Sequence, residues 1–202
     1  MESGWVSTSS TVLSRALEEV KDLAGRSDWG ARDPEGGVEY SARPHDDYPI
    51  ARGIGEINAP LETCVQYFRN HNNNSQWSET LKSITVLQDT GNLKLLKSII
   101  KARWPMSDRE LLFAQQEFPE NSGNTVYVIE KSVELAEYPL QKGYVRAHLN
   151  FSGYIFERLD SNRTRVTYIV QFNPEGMVPG FVREKMQLRH AARIGIAKKT
   201  FG

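Results

Sequence analysis

The stretch TRVTYIVQFNPEGMVPGFV, residues 164–182, decides how this chain folds. Its first half alternates: Val166, Tyr168, Val170 and Phe172 share one side at the two-residue period of a β-strand. Asn173-Pro174-Glu175-Gly176 ends that pattern, because proline lacks a ladder N–H and glycine tolerates turn geometry. Beyond it the period lengthens. Over 178–200, Val178, Phe181, Val182, Met186, Leu188, Ala192 and Ile196 gather on one side of a helix. A strand hands over directly to a long terminal helix, and the apolar side of that helix needs a sheet to cover.

The sheet lies upstream. Runs at 84–89, 93–103, 110–118, 125–134, 145–159 and 164–173 are rich in Ile, Val, Leu, Phe and Tyr, and the clusters DTGN, PENSGN and DSNR separate them. Short turns between successive strands predict an antiparallel sheet. Along 145–159, Val145, Ala147, Leu149, Phe151 and Gly153 read as one face of a sheet whose second face is polar. Before these come a helix over 10–25, with Ser9, Ser10 and Thr11 as caps, and strands at 28–33, 38–43 and 50–57. Pro60 opens a second helix with Glu62 in its first turn. The tract HNNNS reads as a polar loop, and SQWSETLKS as a shorter helical piece. The fold class is α+β, one domain over residues 1–202.

Composition narrows the function classes. Hydrophobic residues make up 39% and charged residues 25% of 202, with zero formal net charge, so no bulk charge points to nucleic acid. No apolar run reaches the ~18 residues of a membrane span, and the polar N-terminus reads as no secretory leader. One cysteine, Cys64, forms no internal disulfide and builds no cysteine metal site. The expectation is a cytoplasmic monomer without metal or cofactor.

Three segments, in order, resemble the StAR-related lipid-transfer (START) family. WPMSDRE (104–110) is similar to its Trp-Pro…Arg-Asp signature between two long strands. YPLQKGYVRAHLNFSGYIF (138–156) resembles its Pro…Gly-Tyr-Val-Arg-Ala segment, and 164–182 resembles its Thr-x-Val-Thr-Tyr…Asp-Pro-Gly-Gly segment before the last helix. The departures are Glu110 for the family's Asp, Asn173 for Asp and Glu175 for the first glycine. The resemblance implies a helix-grip fold: a curved antiparallel sheet around an internal tunnel, covered by the C-terminal helix. It implies a carrier of one lipid between membranes, with PMSDRE nearest the phosphatidylcholine-transfer branch and a phospholipid favoured.

The candidate lipid-contacting residues follow from it. The charge pair of the steroidogenic branch falls on Leu96 and Gln115, so that pair is absent; head-group positions of the ceramide-transfer branch fall on Ser78, Ser98 and Glu130. Sheet alternation adds Tyr168 and Phe172, and the loop and lid add Trp104, Arg109, Met177, Val178, Phe181, Val182, Met186 and Arg189. Lys185 and Arg189 project from the apolar stripe, either snorkelling to water or meeting an anionic lipid group; Arg193 lies nearby. Six Lys/Arg against one acid from 178 onward predict transient contact with a membrane surface through the basic lid and the 101–111 loop.

Catalysis ranks below binding. His45, His71, His148 and His190 are scattered without metal-type pairing, no Gly-x-Ser-x-Gly elbow exists, and Cys64 reads as a small buried hydrophobe. Asp108, Arg109 and Glu110 read as an ion pair fixing a turn. Two alternatives stand beside the carrier: a lipid-sensing module without transfer, and a tunnel-fold hydrolase or cyclase.

Overall fold

The computed structural model describes residues 4–31, 36–45, 48–73, 78, 80–102, 106–176 and 189–202. Ten strands form a curved sheet: β1 Gly30–Ala31, β2 Val38–Arg43, β3 Ile50–Ile57, β4 Leu81–Asp89, β5 Leu93–Ile100, β6 Arg109–Glu120, β7 Thr125–Ser132, β8 Val145–Arg146, β9 His148–Arg158 and β10 Thr164–Asn173. Their order is β1-β2-β3-β10-β9-β7-β6-β5-β4, with antiparallel pairing throughout, and β8 joins β6 in parallel beside that path. Among the described residues three α-helices pack on it: α1 Gly4–Gly25, α2 Leu61–Arg69 and α3 Arg193–Phe201.

The sheet is apolar on both faces, where the sequence predicted one. On the outer face Leu13, Leu17 and Val20 of α1 meet Leu95, Leu112, Ile129, Phe151, Ile155 and Ile169. On the inner face Leu96, Phe113, Val128, Tyr154, Phe156, Val166, Tyr168, Val170 and Phe172 meet α2 and α3. Each Leu, Ile or Phe so buried contributes about 1.5–3 kcal/mol. Two glycines let the helices approach. A Cβ on Gly153 of β9 would stand 2.6 Å from the Val20 side chain of α1, and one on Gly53 of β3 would stand 2.9 Å from the Ala191 carbonyl oxygen.

Several boundaries differ from the sequence reading. The first helix begins at Gly4 rather than residue 10, because Trp5 and Ser9 extend its buried stripe. Residues 81–83, expected as helix, open β4, where antiparallel pairing with β5 outweighs local preference. Of the strand expected over 28–33, Gly30–Ala31 is strand and residues 28–29 are not, while 32–33 lie outside the described residues. The tract at 71–75 begins as a 3-10 turn, His71–Asn73, between α2 and β4.

The run 145–159 is broken. β8 and β9 are separate strands, and the pairing of β9 with β10 slips between Phe172↔Leu149 and Gln171↔Phe151, leaving Asn150 as an extra residue. Ala147 and Leu149 consequently face inward while Phe151 and Gly153 face α1. The single face read from sequence is therefore two faces. Asn150 is tied down by its Nδ2 donating to Gln171 Oε1 at 3.0 Å and by Lys131 donating to its carbonyl oxygen.

The helix predicted over 178–200 is described from residue 189. There Ala191, Ile194 and Ala197 are buried, whereas Ala192 and Ile196 are only half-buried. Small residues seat α3 because its backbone rides against glycine on β3, a contact that a stripe of bulky side chains does not reveal.

Candidate functional site

The inner face carries one polar row. Gln115 on β6 pairs directly with Glu130 on β7, and Glu130 pairs directly with Ser152 on β9. Directly opposed antiparallel residues project to the same side, so three polar side chains line up across three adjacent strands. Gln115 Nε2 donates to Glu130 Oε1 at 2.8 Å, and Ser152 Oγ donates to Glu130 Oε2 at 2.9 Å. Tyr168 on β10 brings its hydroxyl to 3.1 Å from Ser152 Oγ. Ser152 Oγ is the donor toward that hydroxyl as well, so its one proton is shared between the Glu130 carboxylate and the Tyr168 oxygen.

Above the row stand aromatics and a cation. The rings of Tyr154 and Tyr168 stack with centroids 4.1 Å apart, and Phe68 of α2 packs 4.9 Å from Tyr154. Arg193 of α3 donates from Nη1 to the Tyr154 hydroxyl at 3.3 Å and lies 5.9 Å over the Tyr168 ring. Burial opposes its charge, but the electrostatic pull of Tyr154, Tyr168 and Glu130 more than offsets that and raises its hold on the proton. Burial pushes both tyrosines up, Tyr154 well above the ordinary phenol value. His190 places Nδ1 3.4 Å from Arg193 Nη2, and its ring lies 5.3 Å from that of Phe172. Burial, then the Arg193 charge, lower His190 to about 3, so it is neutral and its Nδ1 can accept. His71 is also lowered by burial, partly opposed by Glu130. Although β7 lies inside the sheet, Glu130 keeps some accessible surface, as do Arg193 and His190.

The residues named from sequence divide. Gln115, Glu130 and Tyr168 come together in the row; Ser98 is buried on β5, and Phe172 is buried beside His190. Arg189 is exposed, and Arg193 is the cation that meets the interior tyrosines. Arg109 is buried elsewhere: Nε reaches the Pro174 oxygen at 2.9 Å, and the two Nη atoms reach the Glu175 and Ser107 oxygens at 3.0 and 2.5 Å. The three loop charges do not pair with one another as expected. Asp108 takes the Ala102 N–H at 2.8 Å and Lys82, while Glu110 pairs with Arg146 at 3.1 Å. Trp104, Met177, Val178, Phe181, Val182 and Met186 lie outside the described residues, as does Lys185. Sequence reasoning missed Ser152, Tyr154, His71 and His190. The strict alternation 152, 154, 156 would have shown the first two once the bulge was placed.

Among the described residues, no cluster of three His, Cys, Asp or Glu could hold a metal ion. Cys64 is buried on α2, with its thiol proton affinity raised by burial, as a packing residue. No described helix is long and apolar enough to cross a membrane.

A curved antiparallel sheet that holds a C-terminal helix against its inner face, with one polar row beneath that helix, defines the helix-grip class. The chain belongs to the START domain family, whose model matches residues 13–200. Its fold is similar to human StAR-related lipid transfer protein 5, with TM-score 0.81 and 20% identity over 96% of this chain and 98% of that one. It is similar to human STARD10 at TM-score 0.78 and 17% identity, covering 93% and 78%. A STAR-related lipid transfer protein fragment from Xanthomonas axonopodis matches at TM-score 0.68 and 20% identity, covering 86% and 95%. An uncharacterized Pseudomonas aeruginosa protein is 22% identical over 174 residues, 85% of each chain.

Proposed function

We propose that this chain, as one START unit over residues 1–202, carries a single lipid between the inner face of its sheet and the C-terminal helix and delivers it between membranes. The observation that carries this reading is a hydrogen-bonded polar row set among the apolar side chains of the inner face, with an arginine from the covering helix above it. Ligand sites of this kind are mostly apolar, with a few polar groups that fix orientation. The family membership supports it, as do the names of structural neighbours that are lipid transfer proteins.

The physical task is to lower a barrier. Each methylene moved from bilayer to water costs roughly 0.8 kcal/mol, so a long chain leaves on its own very slowly. An apolar interior replaces the bilayer without bond chemistry, so the role is non-catalytic. The protein works as a monomer in the cytoplasm and touches membranes transiently, with exposed Arg189 and Lys199 offering positive charge to an anionic surface.

Native mass spectrometry of the purified chain, paired with transfer of labelled lipid between vesicles, tests this. Retained lipid and accelerated transfer are expected. Bound lipid without transfer would favour a sensing module, and turnover of an ester or polyketide would favour the enzyme reading.

A further inference from the structure

We propose that the Gln115–Glu130–Ser152 row is a head-group site selecting a lipid whose head is uncharged and carries an O–H or N–H donor, such as a long-chain alcohol, an acylglycerol or an amide, over one with a phosphodiester. This rests on the lipid-carrier reading above and names the ligand class for the same interior.

The first ground is an orphaned acceptor. The amide nitrogen of Gln115 must face the Glu130 carboxylate, which only accepts, so the orientation of the amide is fixed. Its oxygen is then left buried with no donor among the described residues, in a side chain that is 1% exposed. Ser152 directs its one proton at Glu130 and Tyr168, and Lys94, directly across from Gln115, pairs with Asp89. A buried acceptor without a donor is destabilising, and a ligand hydroxyl or amide N–H supplies what is missing.

The second ground is charge. Each Glu130 oxygen takes one bond where a carboxylate accommodates about four in all, so the row presents further acceptor capacity. A phosphodiester brings no proton to this row and places an anion beside Glu130. A cationic head meets Arg193 above the row, and Lys94, which sits directly across from Gln115 and pairs with Asp89 at 3.5 Å. An uncharged donor avoids both repulsions.

The test offers the full chain vesicles containing equal amounts of hexadecanol, monopalmitoylglycerol, palmitate, hexadecylamine and dipalmitoylphosphatidylcholine, and reads the bound species by native mass spectrometry. Capture of the two uncharged lipids should exceed that of each charged or zwitterionic one by roughly tenfold, the worth of one buried hydrogen bond to a polar partner. Glu130→Gln removes the negative charge, and the palmitate-to-hexadecanol ratio should then rise by about tenfold. Phosphatidylcholine or palmitate captured first by the wild-type chain overturns the inference and leaves lipid carriage standing. An unchanged ratio in a folded Glu130→Gln chain also overturns it, and if that variant does not fold the wild-type ranking decides alone. A wild-type chain that takes up none of the five overturns the carrier reading itself.

Discussion

The guanidinium of Arg109, at the start of β6, donates from Nε to the carbonyl oxygen of Pro174, 2.9 Å away and 65 positions along the chain. Its other nitrogens reach Glu175 and Ser107, so one side chain ties the loop entering β6 to the turn leaving β10. Hydrogen bonds from a charged donor are worth about 1.5–3 kcal/mol each and do not add fully. Arg109→Met should lower stability by at least about 2 kcal/mol in urea unfolding, with Arg109→Lys recovering only part of it.

The same turn contains a conformation that the family's motif reserves for glycine. Glu175 has φ 55°, the left-handed region, and accepts a bond from Asn173 Nδ2 at 2.8 Å while its N–H donates to Asn173 Oδ1 at 2.8 Å. Asn173 and Glu175, both departures from the family pattern, therefore support each other. Removing the carboxylate while keeping a Cβ retains the strain and loses the bond. Glu175→Ala should be less stable than Glu175→Gly by about 1 kcal/mol, read as the difference in unfolding midpoints.

Close packing of α1 on β9 makes a second quantitative test. Gly153→Ala drives a methyl to 2.6 Å from Val20 and should cost about 1–3 kcal/mol. Val20→Ala in the same chain should restore part of that loss. A double-mutant cycle measures the coupling, and additive costs would mean that α1 simply shifts away.

His190 sets a pH dependence. It is neutral in the folded chain, lowered from 6.5 to about 3 by burial and Arg193, and protonates in the unfolded chain near its ordinary value. The unfolded state therefore binds more protons between these values, and stability falls as pH drops from about 6.5 toward 3. Asp89, Asp108 and Asp160, all held below their ordinary value, fall in the same sense at the acid end. His190→Asn should lessen, without abolishing, the fall in melting temperature between about pH 6.5 and pH 4.5, because His71, also lowered by burial, adds to the same fall.

Much of the sheet was legible because strands signal themselves with β-branched and aromatic runs between turn residues, and β2, β3 and β10 fall where those runs begin and end. What the sequence hid was relational. Leu81 and its neighbours look helical until β5 pairs with them, and Ala191, Ile194 and Ala197 look minor until Gly53 admits the helix backbone. Gln115 and Glu130 could be named from family positions, but Ser152 joined them only through strand register. Arg193 meets Tyr154 while Arg189 stands exposed for the same reason: a helix face is chosen by what it rests on.

The extra residue at Asn150 behaves as a frameshift between two faces. Before it, the odd-numbered positions Ala147 and Leu149 look toward the ligand side; after it, the even-numbered Ser152, Tyr154 and Phe156 do. Were the bulge absent and Asn150 paired as an ordinary strand residue, the alternation would run on unbroken and turn one half of β9 over. Ser152 would leave Glu130 for the α1 face, and Phe151 would take its place among the polar groups. The chemistry of the interior thus depends on a residue count as strictly as on any residue's identity.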